Sequence, residues 1–201
     1  KVPWSGLVLG AAYAGAVAKS LRNDPSLPVQ GVPLMSLYPV RRADWLTGAE
    51  IERLTAAGFA TVTYDATGTP VISLERTSLL TNSMNAPVTS GEAIQYPATT
   101  SYLIEDLRTM VQTELARVKL VDNGSRVAES VAAVTPLEVK GMIFGRIDAW
   151  EVAGYIENAQ TIKDNLVVER NALNRNRLDV YLLIDLANQL RVCAVRVVPM
   201  A

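Results

Sequence analysis

Residues 163–201 read KDNLVVERNALNRNRLDVYLLIDLANQLRVCAVRVVPMA, and their order of β-rich and polar stretches decides how the chain is built. Two stretches rich in β-branched and aliphatic residues, 165–168 and 178–184, flank the polar, charged segment 169–177. A third such stretch, 190–198, follows, and all three read as strands. A terminal strand this apolar needs a sheet to join, and it joins a neighbouring subunit as readily as its own. Leu190, Val192, Val195, Val197 and Val198 are therefore candidates for a subunit interface, against the plainer reading that 190–198 pairs only within its own sheet. Glu169, Arg170, Arg175 and Arg177 cluster around the turn. They read either as a solvated turn or as a polar contact with another subunit or another component of an assembly, which makes Glu169, Arg170 and Arg177 further interface candidates.

At 201 residues the chain is long enough for one large domain or two small ones with a real core. Its 49% hydrophobic and 19% charged content is that of an ordinary globular protein rather than a disordered one. The net charge of −1 supplies no basic field, so nucleic acid is not expected as a direct partner. The single cysteine, Cys193, has no partner for an intrachain disulfide. Its apolar strand-like surroundings predict a buried, inert thiol.

The absence of histidine excludes more. A Ser-His-Asp or Cys-His arrangement cannot be built from this chain, and His- or Cys-rich zinc sites fall with it. Carboxylate pairs and lysine chemistry survive, but no spacing singles them out. No catalytic, metal or cofactor-binding residue is therefore assigned.

Residues 2–18, VPWSGLVLGAAYAGAVA, form the one long apolar run. Its small residues favour a core helix over a signal peptide or a membrane span, for which it is short and poor in leucine. The helix is expected over 5–21, with Gly10 and Gly15 letting another element pack close and Asn23-Asp24-Pro25 ending it. A glycine spacing of Gly6, Gly10 and Gly15 hints at a small-molecule site, but it is not the dinucleotide fingerprint and lies inside a helix.

Thr47 or Asp44 caps a second helix ending at Gly58, with Trp45, Leu46, Ile51 and Leu54 on one face. Residues 59–76, FATVTYDATGTPVISLER, read as a hairpin turning at Asp65-Ala66-Thr67-Gly68. Residues 77–91 read as a loop, and the composition shift at 94–100 as a domain boundary. A long helix is predicted over 102–119, with Leu103, Leu107, Met110, Val111, Glu114, Leu115 and Val118 facing inward. Thr135-Pro136 with Glu138 gives the next helix its N-cap, first position and capping box, and Gly154 stops it.

Beside this reading stands a resemblance. VERN at 168–171, NRLDV at 176–180 and NQLRV at 188–192 resemble the C-terminal region of tail sheath proteins from Mu-like contractile phages. AAYAGAVAKSLRNDPSLPVQGVPL at 11–34 resembles that family's helix and DPARP-type turn, keeping Asp24, Pro25 and Pro28 but placing Ser26-Leu27 where Ala-Arg is usual. LERTSLLTN at 74–82 is similar to IERxITTYxTN, with Arg76 and Asn82 in place and Ser78 and Leu80 departing. ARVKLVDNGSRV at 116–127, VTPLEVKG at 134–141 and GYIENAQTIKDNLVVERN at 154–171 continue the match. No single motif is chemically diagnostic; the ordered set is what is specific. The match lacks the family's N-terminal region, so the chain resembles the C-terminal part of a sheath subunit and is expected to be a monomer or small oligomer.

The resemblance implies an α/β (α+β) fold. Residues 1–96 would be the end of a subtilisin-like, non-catalytic domain, and residues 97–201 a smaller mixed helix/sheet C-terminal sheath domain with a terminal strand. It implies a structural subunit, not an enzyme, without cofactors, polymerising helically around the tail tube and contracting to drive that tube through the host envelope. The alternative is an inactive or cryptic subtilisin-like hydrolase domain. Implied partners are other sheath subunits in hexameric rings stacked helically, the tail tube protein, and baseplate and tail terminator proteins, without membrane insertion. The implied location is the virion tail sheath, with assembly in the host cytoplasm. In this family the C-terminal domain faces the tube, which makes Arg108, Arg117 and Lys119 tube-contact candidates, although an exposed helix face explains them equally well.

Overall fold

Asp65 sets the first hairpin. Its Oδ1 accepts hydrogen bonds from the Thr67 and Thr69 amides at 2.8 and 2.9 Å and from the Thr67 hydroxyl at 2.6 Å. One side chain thus satisfies the turn that joins β1 (Thr61–Tyr64) to β2 (Pro70–Leu74). The Thr67 hydroxyl, followed by the backbone amides, holds the Asp65 carboxyl below the ordinary carboxylate range against a counteracting desolvation. The strands are antiparallel, from Tyr64 opposite Pro70 to Thr61 opposite Leu74, with the register shifting between Thr61 and Val62. The expected hairpin is there, at the expected turn.

The computed structural model describes residues 3–88, 93–191 and 193–198. The chain divides into two units: Lys1–Ala98 together with Asn188–Ala201, and Thr99–Ala187. In the first unit, α1 (Gly6–Asn23) begins where the Ser5 side chain accepts from the Val8 amide and ends at Asp24, before Pro25. α2 (Gly48–Ala56) carries a full capping box between Thr47 and Glu50. Residues 31–34 run along the outer side of β2, with Gly31 and Leu34 amides donating to the Ile72 and Pro70 carbonyls at 2.7 and 2.8 Å. The core gathers Trp4, Val17, Val29, Leu34, Leu37, Val40, Val62 and Ile72.

α1 differs from expectation in how it packs. Only Val17 is fully buried on it, and a methyl group added at Gly10 or Gly15 would meet nothing within 4 Å. The two glycines serve no close approach and face open space, while Ala12 and Ala16 pack against the core. No helix among the described residues is long and apolar enough to cross a membrane.

In the second unit the expected 102–119 helix is displaced. α3 spans Gln95–Glu114. Pro97 lies in its first turn, where a missing amide costs nothing because no intrahelical acceptor is available there. Past Glu114 the chain turns into β3 (Lys119–Leu120), which pairs in parallel with β4 (Ala133–Val134). Leu103 and Met110 are buried as expected, but Val111 is half exposed.

α4 (Pro136–Val152) opens with the expected Thr135–Glu138 capping box and buries Val139, Ile143, Ile147 and Trp150, a stripe at three- and four-residue spacing. These meet Leu103, Met110, Ile156, Ile162 and Leu166 in the second core. Between Gly154 and the last hairpin lies α5 (Ala159–Asn165), a short helix that replaces the first part of the expected 165–168 strand. β5 (Val167–Arg170) and β6 (Leu178–Tyr181) form an antiparallel pair, Val167 opposite Tyr181 and Arg170 opposite Leu178. β6 stops short of the expected residue 184. Residues 185–187 instead run beside 155–157, with an isolated bridge between Ile156 and Leu186.

Candidate assembly interface

The expected strand over 190–198 is absent from the described residues, where 190–191 and 193–198 carry no ladder. A strand is defined by its partner, and within this chain no described partner is offered. Leu190 is 79% exposed, Val197 84%, and Val195 and Val198 are also largely in solvent. Val192 lies outside the described residues. Cys193 is exposed, not buried, for the same reason: without a sheet its segment has no apolar side to enter. The segment is thus an apolar arm rather than a closed strand.

The root of the arm is held to the first unit by polar contacts. The Glu75 carboxylate, one residue past β2, is fully buried, and the Arg191 guanidinium lies 2.5 Å from it as its charge partner. Arg191 Nη2 also reaches Gln95 Oε1 at 3.5 Å, and Gln95 Nε2 donates to the Leu27 carbonyl at 3.2 Å. Gln189 Nε2 donates to the Ser26 carbonyl at 3.4 Å. Burial, and then the Glu75 charge, push the Tyr13 phenol up to about 12. Sequence reading did not find Glu75 or Arg191. Their pairing spans the whole second unit, and nothing local marks it.

In the second unit, β5 and β6 form a sheet of two strands, so β6 has an outer edge that no other described strand fills. Beside it Leu178 and Val180 line a mostly apolar cavity of about 560 Å³ with Leu107, Met110, Val111 and Leu115.

The turn between these strands is stiff. Asn171 Oδ1 accepts from the Leu173 and Asn174 amides at 2.9 and 2.8 Å, and Asn171 Nδ2 donates to Asp179 Oδ2 at 2.6 Å. Arg170 and Arg175 both grip Asp122, at 2.9 and 2.8 Å, and Arg177 pairs with Asp179 at 2.5 Å. The hydrogen bond from Arg170, then the nearby Arg170 and Arg175 charges, hold the Asp122 carboxyl below its ordinary range against desolvation. Hydrogen bonds from Asn171 and then Arg177 do the same for Asp179. Arg170 and Arg177 are therefore engaged within their own unit, whereas Glu169 is exposed on β5. The turn holds Leu173 wholly in solvent, a residue the sequence reading passed over.

The three tube-contact candidates do not share one helix face. Arg108 is on α3 and pairs with Glu105 at 2.7 Å; Arg117 follows the helix, and Lys119 belongs to β3, both exposed. Among the described residues no group of acidic, cysteine or histidine side chains could hold a metal ion.

No family model matches the chain. It is 30% identical over 194 residues to the Mu-like prophage FluMu tail sheath protein of Haemophilus influenzae, covering 96% of this chain and 40% of that relative. The chain thus spans well under half the length of the curated relative it matches. Its fold resembles the crystal structure of the sheath tail protein from Desulfitobacterium hafniense, with a TM-score of 0.53, 10% identity, and coverage of 81% of this chain and 37% of that one. Both proteins are named for a tail sheath. The likeness to Mu-like tail sheath proteins carried by residues 11–198 is borne out: over nearly all its length this chain is a homologue of a Mu-like prophage tail sheath protein.

Proposed function

We propose that this chain is part of a contractile tail sheath subunit, which polymerises helically around a tail tube and contracts without performing bond-making chemistry. The observation that supports this reading best is the arm. An apolar segment that is exposed and unpaired among the described residues suits donation to a neighbouring subunit. The open β6 edge and its apolar cavity are the acceptor of a second copy's arm. Repeating one such asymmetric contact builds rings stacked into a helix. Each ladder hydrogen bond contributes ~1 kcal/mol, and each valine buried adds ~1.5–3 kcal/mol. One junction is then stabilised by several kcal/mol.

In this reading residues 1–96 are the end of a subtilisin-like, non-catalytic domain and residues 97–201 are the C-terminal sheath domain with its terminal segment. Leu190, Val192, Val195, Val197 and Val198 are donated, and Glu169 with the turn arginines borders the contact. Arg108, Arg117 and Lys119 approach the tube through weak, exposed charge contacts that permit sliding. The partners are sheath copies in hexameric rings, the tube, and the baseplate and tail terminator, in the virion tail. The hydrolase alternative finds no histidine base in this chain.

Electron microscopy of the full-length protein tests the proposal. Striated tubes are expected from the wild type. Removal of residues 192–201 is expected to leave folded subunits that no longer polymerise, and tubes of normal length from that deletion would overturn the arm's role.

A further inference from the structure

We infer that the Glu75–Arg191 ion pair is the anchor of the C-terminal arm: residues 188–191 stay with their own subunit, and only the residues beyond are given to a neighbour. The inference rests on the arm-donation reading above and adds where donation begins.

The asymmetry along the segment supports it. Glu75 is fully buried, and neither of its oxygens receives a well-aligned hydrogen bond, so the guanidinium charge at 2.5 Å is what offsets the loss of water. Removing one member of such a pair leaves an uncompensated charge in the interior, which is far more damaging than losing a surface pair. Lifting residues 189–191 would do that to Glu75, and would also break the Gln189 and Arg191 contacts with the Ser26 carbonyl and Gln95. Leu190, between those two tethered side chains, is exposed to solvent. Residues 193–198 make no hydrogen bond to another described residue and have no comparable tie. The anchor therefore sets the arm's reach: residues 192–198 extend at most about 25 Å from it.

Limited proteolysis of the wild-type chain, read by mass spectrometry, is the first test. Bonds within 188–191 are expected to be cut at least tenfold more slowly than those within 193–198, and equal cutting of both would overturn the anchor. A nitroxide on the sole cysteine, Cys193, gives the second. Its motion is expected to be restricted in the wild type and freed in both Glu75→Gln and Arg191→Gln. The double variant, whose amides can pair with each other, is expected to lose less protection at 188–191 than the product of the single losses. Unchanged label motion in all three variants would overturn the proposal.

Assembled full-length sheath separates the two readings. Protection of 193–198 appearing while 188–191 stays protected supports both. Protection of 193–198 with loss at 188–191 overturns the anchor alone. No new protection at 193–198 overturns donation and leaves the anchor standing.

Discussion

The Trp150 indole donates a 2.9 Å hydrogen bond to the Asp106 carboxylate and thereby ties α4 to α3 inside the second core. Arg146, one helical turn before Trp150, reaches the same carboxylate at 3.4 Å and Glu114 at 3.3 Å. One buried aromatic and one guanidinium thus share an acceptor, and the α3–α4 packing depends on it.

Replacing Asp106 by Ala leaves a buried indole N–H without an acceptor, and a loss of about 1–3 kcal/mol is expected. Trp150→Ala, which also empties a large part of the core, is expected to lose about 3–5 kcal/mol. Urea unfolding of the three proteins measures both. An Asp106→Ala midpoint indistinguishable from wild type would remove this bond from the account.

Among the described glycines Gly68 is the one least able to accept a side chain. Its φ is +85°, and a Cβ there would lie 2.5 Å from the Val40 carbonyl oxygen. Gly68→Ala is expected to cost about 2–4 kcal/mol through left-handed strain and displacement of the 39–40 backbone. Thermal unfolding followed by circular dichroism checks it, with Gly10→Ala, on an open helix face, as the neutral or slightly stabilising comparison.

Thr135 closes a capping box with Glu138, its hydroxyl accepting from the Glu138 amide at 3.2 Å while Glu138 Oε2 accepts from the Thr135 amide at 2.7 Å. Thr135→Ala is expected to lose about 1 kcal/mol, and Thr135→Ser little. Equal stability of the Ala and Ser variants would show that the cap is not what starts α4.

Asp122 gives a pH dependence of known sign. Its carboxyl titrates below the ordinary value in the folded chain because Arg170 donates to it and Arg170 and Arg175 lie beside it. The stability it contributes is complete above the unfolded value of about 4 and is lost as pH falls through the lower folded value. The stability gap between wild type and Asp122→Asn is expected to be flat from about pH 5 to 8 and to close in more acidic buffer. A gap that widens on acidification would contradict the assigned cause.

Much of the fold is legible locally. Asp65 to Gly68 encode their turn, Thr135 and Glu138 their cap, and Asn23-Asp24-Pro25 their helix end, since each acts within a few residues. The α3 boundaries escaped because the stretch 94–100 reads as a domain boundary although its Pro97 is harmless in a first turn, and because β3 takes Lys119 through a partner at Ala133. α5 escaped because its seven residues show no full apolar period. The apolar arm was legible in composition, but its unpaired state was not, because a valine run looks the same with or without a ladder beside it. The Glu75–Arg191 contact is the extreme case, as one lone acid and one lone base give no sign that they meet.

Unit order along the chain has a consequence for synthesis. Glu75 leaves the ribosome early, but the cation that neutralises it emerges only after the whole of Thr99–Ala187 has been made. The later-made unit can therefore acquire its core while the earlier one is still electrostatically incomplete, and translation of Arg191 becomes the moment at which the first unit is finished.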